Sequence, residues 1–249
     1  MVTIKIPVDS KKELRRTLVW ITIFSVAMAY MESAVVVYLR ELYFPNGFVF
    51  PLASIGREIA ITEFFREVAT MFMLLGAAYV AGRTVWTRFA WFLWCFGIWD
   101  IFYYVWLKVL IDWPSSLMEW DILFLVPIPW TGPVLAPIIV SLSIMAFGLI
   151  ILWKAQVEEP RITKLQLFIL ILGAVIIIIS FCLDNYIFAL QNGLLDVLFT
   201  IPSKGELLFG TTTNYVPDRF YWWVFLLGEA ISGSVVVSML MRQGSNRIV

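Results

Sequence analysis

The chain has 249 residues, of which 61% are hydrophobic and only 14% are charged, and its formal net charge at pH 7 is zero. A soluble domain is nearer half apolar and a quarter charged, so this composition predicts a polytopic membrane protein, and the balanced charge gives no ground for nucleic-acid binding. The sequence contains no histidine. This absence excludes histidine-ligated haem, zinc sites built on imidazole and any Ser-His-Asp triad.

Six apolar segments are long enough to cross a bilayer as helices. About 30 Å of hydrocarbon needs roughly 20 helical residues, and continuous runs of this length favour helices over a β-barrel. The first run continues past a small-x-small pattern at 27–29 as far as Leu39, which favours a retained span over a cleaved signal peptide. We therefore predict an all-α membrane domain over 1–249, with spans at about 17–39, 57–81, 88–111, 134–154, 164–190 and 219–241.

The basic residues predict the orientation of these spans. Twelve of the eighteen lysines and arginines fall on one side of the bilayer if both termini lie on that side. Basic residues mark the cytoplasmic face, so we predict an N-in, C-in protein of a prokaryotic cytoplasmic membrane. The three outer connections are rich in proline and aromatic residues, which is typical of the membrane interface. For residues 121–130 we favour an interfacial helix and turn over a segment that re-enters the bilayer.

Three spans that run outward share an acidic residue followed, eight positions later, by a basic or polar residue. The pairs are Glu32 and Arg40, Asp100 and Lys108, and Asp184 and Asn192. Eight residues of helix rise about 12 Å, so the three carboxylates are expected at similar depths. The pattern predicts three weakly similar helical hairpins. The alternative is that Arg40 and Lys108 are snorkelling residues at helix ends.

The second span carries an unusual concentration of charge in the segment TEFFREVATM, residues 62–71. Its charged residues are Glu63, Arg66 and Glu67. Arg66 and Glu67 follow Glu63 by three and four positions, so all three lie on one face of a helix. Counted from the ends of their spans, Glu67 and Glu229 both lie about 15 Å deep. Together with Glu63 and the acidic residues of the three similar segments, they predict one layer of six carboxylates from five helices. The predicted ligand- or ion-binding residues are Glu32, Glu63, Arg66, Glu67, Asp100, Asp184 and Glu229.

Intramembrane charge is costly, which favours convergence of this layer on one interior site. A charged side chain near the bilayer centre costs about 2.5–3.5 kcal/mol even on insertion scales. Carboxylates that face one another can share Arg66, protons, water or a cation, and some of them should hold protons because close like charges cannot all ionise. The structural alternative is an ion-pair cluster that only locks the helices together.

Aromatic residues surround Asp100 in the third span. Trp99, Tyr103 and Trp106 share one helical face with Phe102. We predict that Trp99, Tyr103 and Trp106 line a pocket in which a flat apolar or cationic ligand stacks, with plain packing as the alternative.

Small residues and cysteines give less specific signals. The segment GEAIS, residues 228–232, has small residues four positions apart, which predicts close packing between helices. Cys95 and Cys182 lie inside apolar runs and are expected to be core hydrophobes. No Walker motif, Rossmann glycines, CxxC pair or nucleophile elbow occurs, so no catalytic residue is predicted.

These features favour a protein that binds or transports a proton, a cation or a small solute at an outward-facing site. The first alternative is an intramembrane enzyme that acts on a lipid or isoprenoid through carboxylate acid/base chemistry. Such an enzyme would also suit a divalent cation held by carboxylates, which is the one cofactor that the sequence leaves open. The second alternative is a non-catalytic subunit of a larger membrane complex, with the bilayer and further chains or a second copy as partners.

Overall fold

The structure is a computed structural model that describes residues 11–53, 55–124, 129–195 and 214–245. These residues form six long helices and one two-stranded hairpin. In chain order the elements are α1 (Lys11–Tyr43), α2 (Arg57–Ala81), α3 (Val85–Ile111), β1 (Trp120–Phe124), β2 (Trp130–Pro133), α4 (Leu135–Lys154), α5 (Lys164–Gln191) and α6 (Trp222–Ser245).

All six helices are long and apolar enough to span a membrane, which confirms the six predicted spans. The chain is therefore a multi-pass, mainly helical membrane protein. Helix α1 has 33 residues and rises about 50 Å, so it is longer than the hydrocarbon layer. Its basic first turns are therefore expected to extend beyond the membrane core. The side on which the termini lie stays a prediction.

The connection between α3 and α4 contains the antiparallel hairpin of β1 and β2. Trp120 pairs with Pro133 and Asp121 with Gly132, and an irregularity follows Ile122. The expected interfacial helix and turn is thus wrong where this connection is described, and residues 125–128 lie outside the described residues. Two prolines in the sequence VPIP, 126–129, disfavour a helix there, while strand pairing satisfies the backbone groups.

Helix packing leaves a gap between α1 and α2. Both helices pack along α3 but make few contacts with each other. Helix α4 packs extensively on α3, and α5 packs extensively on α6. Strand β2 contacts α5, so the hairpin bridges the two parts of the bundle. We call the end of the bundle that carries β1 and β2 the hairpin end.

The predicted likeness of three helical hairpins stays a prediction. The corresponding residues of the three segments make different contacts. Arg40 pairs with Asp121 of β1, whereas Lys108 pairs with the exposed Asp112 at 2.7 Å. The side chain of Asn192 instead donates to a carbonyl of its own helix. The helices also differ in packing, because α1 and α2 are nearly separate while α5 and α6 are closely packed.

Two facing glycines allow α5 and α6 to approach closely. A Cβ atom added at Gly173 would lie 2.9 Å from the carbonyl oxygen of Gly228, and one added at Gly228 would lie 2.8 Å from that of Gly173. An added Cβ at Gly173 would also collide with Ser232. The close packing predicted for residues 228–232 is confirmed. Small residues serve this role in membranes because they maximise contact between helix backbones.

We expect Gly228→Ala to lower the free energy of unfolding by about 1–3 kcal/mol, since the methyl group overpacks the α5–α6 contact. The matched control is Gly233→Ala on the same helix, where an added Cβ meets no atom within 4 Å. Unfolding in mixed detergent micelles measures both variants. Equal stability of the two variants would contradict a close α5–α6 contact.

Candidate functional site

A partly enclosed cavity lies between α1, α2 and α3, below the segment 44–55 and strand β1. It offers about 190 Å³ of space. An engineered protein cavity of about 150 Å³ holds benzene, so this space suits a small molecule. The charged and hydroxyl-bearing groups that the structure describes in its wall, tyrosines apart, are Glu32, Arg40, Glu63, Arg66, Glu67, Thr70, Asp100 and Asp121.

Arg66 connects the two helices that border the gap. Its Nε and Nη2 atoms each lie 2.7 Å from Oε2 of Glu63 on the same helix, and its Nη1 atom forms an ion pair with Glu32 of α1. Thr70 donates a second bond from α2 to Glu32 at 3.1 Å. Glu67, one turn below Glu63, lies within electrostatic range of Arg66. An ion pair and a hydrogen bond therefore join α1 to α2, in addition to the apolar cluster that contains Met28 and Ala29 of α1 and Leu74 of α2.

Asp100 of α3 forms another part of the cavity wall. It is buried, and its Oδ2 atom accepts a hydrogen bond from Ser141 of α4 at 2.8 Å. This bond is possible because α4 packs antiparallel against the buried face of α3. The predicted pocket-lining residues Trp99 and Tyr103 also line the cavity.

At the hairpin end, Arg40 joins α1 to β1. Its Nη2 atom lies 3.4 Å from Oδ1 of Asp121. The guanidinium carbon also lies 3.7 Å from the ring centroid of Trp113 and 4.4 Å from that of Phe48. Burial raises the pKa of the Asp121 carboxyl, and the opposing effects come first from Arg40 and then from the backbone N–H of Ile122. This ion pair and its aromatic neighbours close the upper part of the cavity.

Sequence reasoning missed Asp121, although two signals pointed to it. Arg40 ends a span and needs a partner, and Asp121 is an isolated acidic residue inside the apolar segment WDILF. The two residues are separated by 81 positions, and their contact depends on how the hairpin folds back over α1. That contact cannot be obtained from helical spacing.

Two predicted carboxylates and one predicted aromatic residue lie outside this lining, so the cavity brings together only part of the predicted set. Asp184, Glu229 and Trp106 are not among the described residues that line the cavity. Ser143 of α4 lies close enough to Glu229 of α6 to interact with its carboxyl group. Trp106 packs edge-on against Tyr30 and donates to the carbonyl of Val26 at 3.0 Å. The depth of these residues was predictable, but the rotation of their helices was not.

Asp184 holds the segment that leads into α6. It accepts a hydrogen bond from the Tyr215 hydroxyl at 2.9 Å and bonds from the backbone N–H groups of Asp218 and Arg219 at 3.2 and 3.3 Å. Tyr215 also bonds Thr131 of β2 at 2.9 Å. Burial raises the pKa of the Tyr215 hydroxyl, so this group stays protonated and donates. These contacts give Asp184 a structural task at the hairpin end.

The charges in the cavity wall do not balance. Among the described residues of the wall, five carboxyl groups, from Glu32, Glu63, Glu67, Asp100 and Asp121, accompany two guanidinium groups, from Arg40 and Arg66. Ionised carboxylates in a weakly polar interior need a partner, because burial makes uncompensated charge costly. Protons on some of the carboxyl groups, or a bound cation, would offset this surplus.

No three aspartate, glutamate or cysteine residues of the described ranges form a group suited to hold a metal ion. Glu32 and Glu63 are bonded by Arg66, and Asp100 by Ser141, so these carboxylates are directed to different partners. The divalent cation that the sequence left open therefore finds no ligand set in this part of the chain. The two cysteines are free thiols.

The chain matches no family model, and no curated protein or solved structure is detectably similar to it. A function is therefore inferred from the chemistry of the cavity itself.

We expect Arg66→Gln to lower the free energy of unfolding by about 3 kcal/mol, because it leaves two largely buried carboxylates without their common partner. Adding Glu63→Gln should restore part of the loss, since one of the stranded charges is then removed. Reversible unfolding in mixed micelles gives all three free energies.

The matched control is Arg83→Gln. Arg83 pairs with Glu13 at 2.9 Å, but its side chain is 49% exposed. Exposed ion pairs contribute about 0–1 kcal/mol, so this change should have little effect. Similar losses for Arg66→Gln and Arg83→Gln would show that the Arg66 cluster is no stronger than a surface pair.

Proposed function

We propose that this protein binds a positively charged solute in the cavity between α1, α2 and α3 and carries it across the bilayer. The observation that carries the proposal is the surplus of carboxyl groups over guanidinium groups among the described residues of one cavity between helices long enough to span a membrane. A cationic solute offsets this surplus, and burial in a weakly polar site strengthens the attraction.

Within this proposal, Asp100 receives the positive charge, because the partner described for it is the neutral hydroxyl of Ser141. Glu67 adds negative charge to the same wall. Glu32 and Glu63 are engaged by Arg66, and Asp121 is engaged by Arg40. Asp100 is buried deep in the wall, whereas Glu67 is partly exposed to the cavity. Protons compete with the solute for these carboxyl groups, so binding of the solute releases protons. This competition supplies a route for coupling solute movement to proton movement.

The predicted topology gives the cavity a direction. If both termini are cytoplasmic, the hairpin end faces outward, and the cavity collects its solute from that side. Alternating access then requires α1 and α2 to move relative to each other, so the ion pair between Arg66 and Glu32 has to open during transport. A single chain or a homo-oligomer in a prokaryotic cytoplasmic membrane fits this scheme.

The two alternative functions have less support. A metal-dependent enzyme acting on a lipid or isoprenoid would need a group of carboxylate ligands, and the described residues offer none. No contact in the structure specifically favours acid/base catalysis or a role as a complex subunit. We therefore do not propose either function.

Charge movement in proteoliposomes on a solid-supported membrane tests the proposal. The probes are a pH jump, potassium chloride, magnesium chloride and pentyltrimethylammonium chloride. We expect at least one of them to displace charge in the intact protein. In Asp100→Asn and Glu67→Gln, the apparent affinity for that probe should fall about tenfold or more, as expected for the loss of a charged contact.

Glu229→Gln is the matched control, because Glu229 is an intramembrane carboxylate that the structure describes outside the cavity. Its affinity should stay near that of the unchanged protein. Absence of any displacement, or an equal loss in Glu229→Gln, would refute a cation site in this cavity.

A further inference from the structure

Several buried polar atoms in the cavity wall lack hydrogen-bond partners among the described residues, including the Tyr104 hydroxyl and Nη1 of Arg66. Nη1 of Arg66 forms an ion pair with Glu32, whereas two other N–H donors have neither a hydrogen bond nor an ion pair. They are Nη1 of Arg40 and Nε1 of Trp99. Both residues line the cavity, and they are only 9% and 7% exposed. Most buried donors in proteins have a partner, because an unmade hydrogen bond leaves the full cost of desolvation. A solute that carries an acceptor atom would satisfy at least one of these donors.

The charge of Arg40 is already engaged by Asp121 and by two aromatic rings. A second anion at Arg40 would add negative charge to a cavity in which carboxyl groups are already in surplus. A neutral oxygen, as in a carbonyl, ester or hydroxyl group, accepts the Nη1 hydrogen bond without that repulsion. The acceptor is therefore expected to be neutral.

The wall is also strongly aromatic, which bears on the cation itself. Aromatic faces attract organic ammonium groups through their negative ring faces and through contact with methyl or methylene groups. The space of about 190 Å³ accommodates a molecule somewhat larger than benzene. The aromatic residues that line the cavity are Tyr43, Phe44, Phe48, Trp99, Tyr103, Tyr104 and Phe124.

We infer that the solute is a small organic ammonium ion that also carries a neutral oxygen acceptor. Its cationic group lies toward Asp100, and its oxygen accepts a hydrogen bond from Arg40 or Trp99. This inference rests on the proposed function and specifies the substrate class.

Isothermal titration calorimetry of the purified protein with two matched probes tests the inference. Acetylcholine carries a quaternary ammonium group and an ester, and pentyltrimethylammonium has the same chain length with methylene groups in place of the ester. We expect acetylcholine to bind about tenfold more tightly, because only its ester satisfies a buried donor. This advantage should disappear in Trp99→Phe or in Arg40→Gln.

Trp94→Phe is the control for the loss of an indole N–H, since Trp94 donates to Thr22 at 3.0 Å and does not line the cavity. It should keep the preference for acetylcholine. Arg40→Gln also removes the partner of Asp121 and is interpreted only if its thermal unfolding matches that of the unchanged protein. Trp99→Phe leaves every ion pair in place. Arg40→Lys removes Nη1 but keeps a cation beside Asp121, and it replaces Arg40→Gln if that variant is destabilised.

Equal affinity for the two probes would overturn the inference, as would a preference that survives in both Trp99→Phe and Arg40→Gln. Binding of neither probe, together with charge displacement by protons or potassium, would also overturn it and leave the proposed cation site standing. If no probe binds and nothing displaces charge, the proposed function itself fails.

Discussion

The cavity depends on one constraint, which is that a charge inside a membrane protein needs a partner. Arg66 meets this constraint by bonding Glu63 on its own helix and Glu32 across the gap on α1. In this structure these bonds join α1 to α2, although the two helices make few contacts with each other. Since both helices lean on α3, the space between them stays open and becomes the cavity. The ion pairs of Arg66 with Glu32 and Glu63 thus also position the two helices that form the walls of the cavity.

Other carboxylates of the bundle meet the constraint in local ways. Asp184 accepts hydrogen bonds from the Tyr215 hydroxyl and from backbone N–H groups. Glu229 interacts with Ser143 of the neighbouring helix. Each of these contacts connects two neighbouring segments and explains why a carboxylate is tolerated there. The cavity differs because the described residues of its wall include five carboxyl groups but only two guanidinium groups. Unbalanced charge, rather than buried charge as such, distinguishes the candidate site from the structural contacts.

Much of the fold was predictable because the bilayer imposes a length and a polarity on each span. Hydropathy alone located the six helices, and spacing along α2 placed Glu63, Arg66 and Glu67 on one face. Helical rise gives the depth of a side chain but not the rotation of its helix. That rotation comes from tertiary contacts such as the close approach of Gly173 and Gly228. The pairing of Arg40 with Asp121 depends on the hairpin and was equally inaccessible.

The structural and functional interpretations of the charged segment in α2 are compatible, since they concern different groups. Arg66 with Glu32 and Glu63 accounts for the locking of α1 to α2, and this part of the cluster needs no ligand. Locking does not explain why Asp100 lies in the wall of the same cavity. Among the described residues, the hydrogen bond that Asp100 accepts comes from a neutral group, the Ser141 hydroxyl. Nor does locking explain the aromatic wall beside that carboxylate. A cationic solute accounts for both, because it neutralises the surplus charge and places its apolar part against the rings.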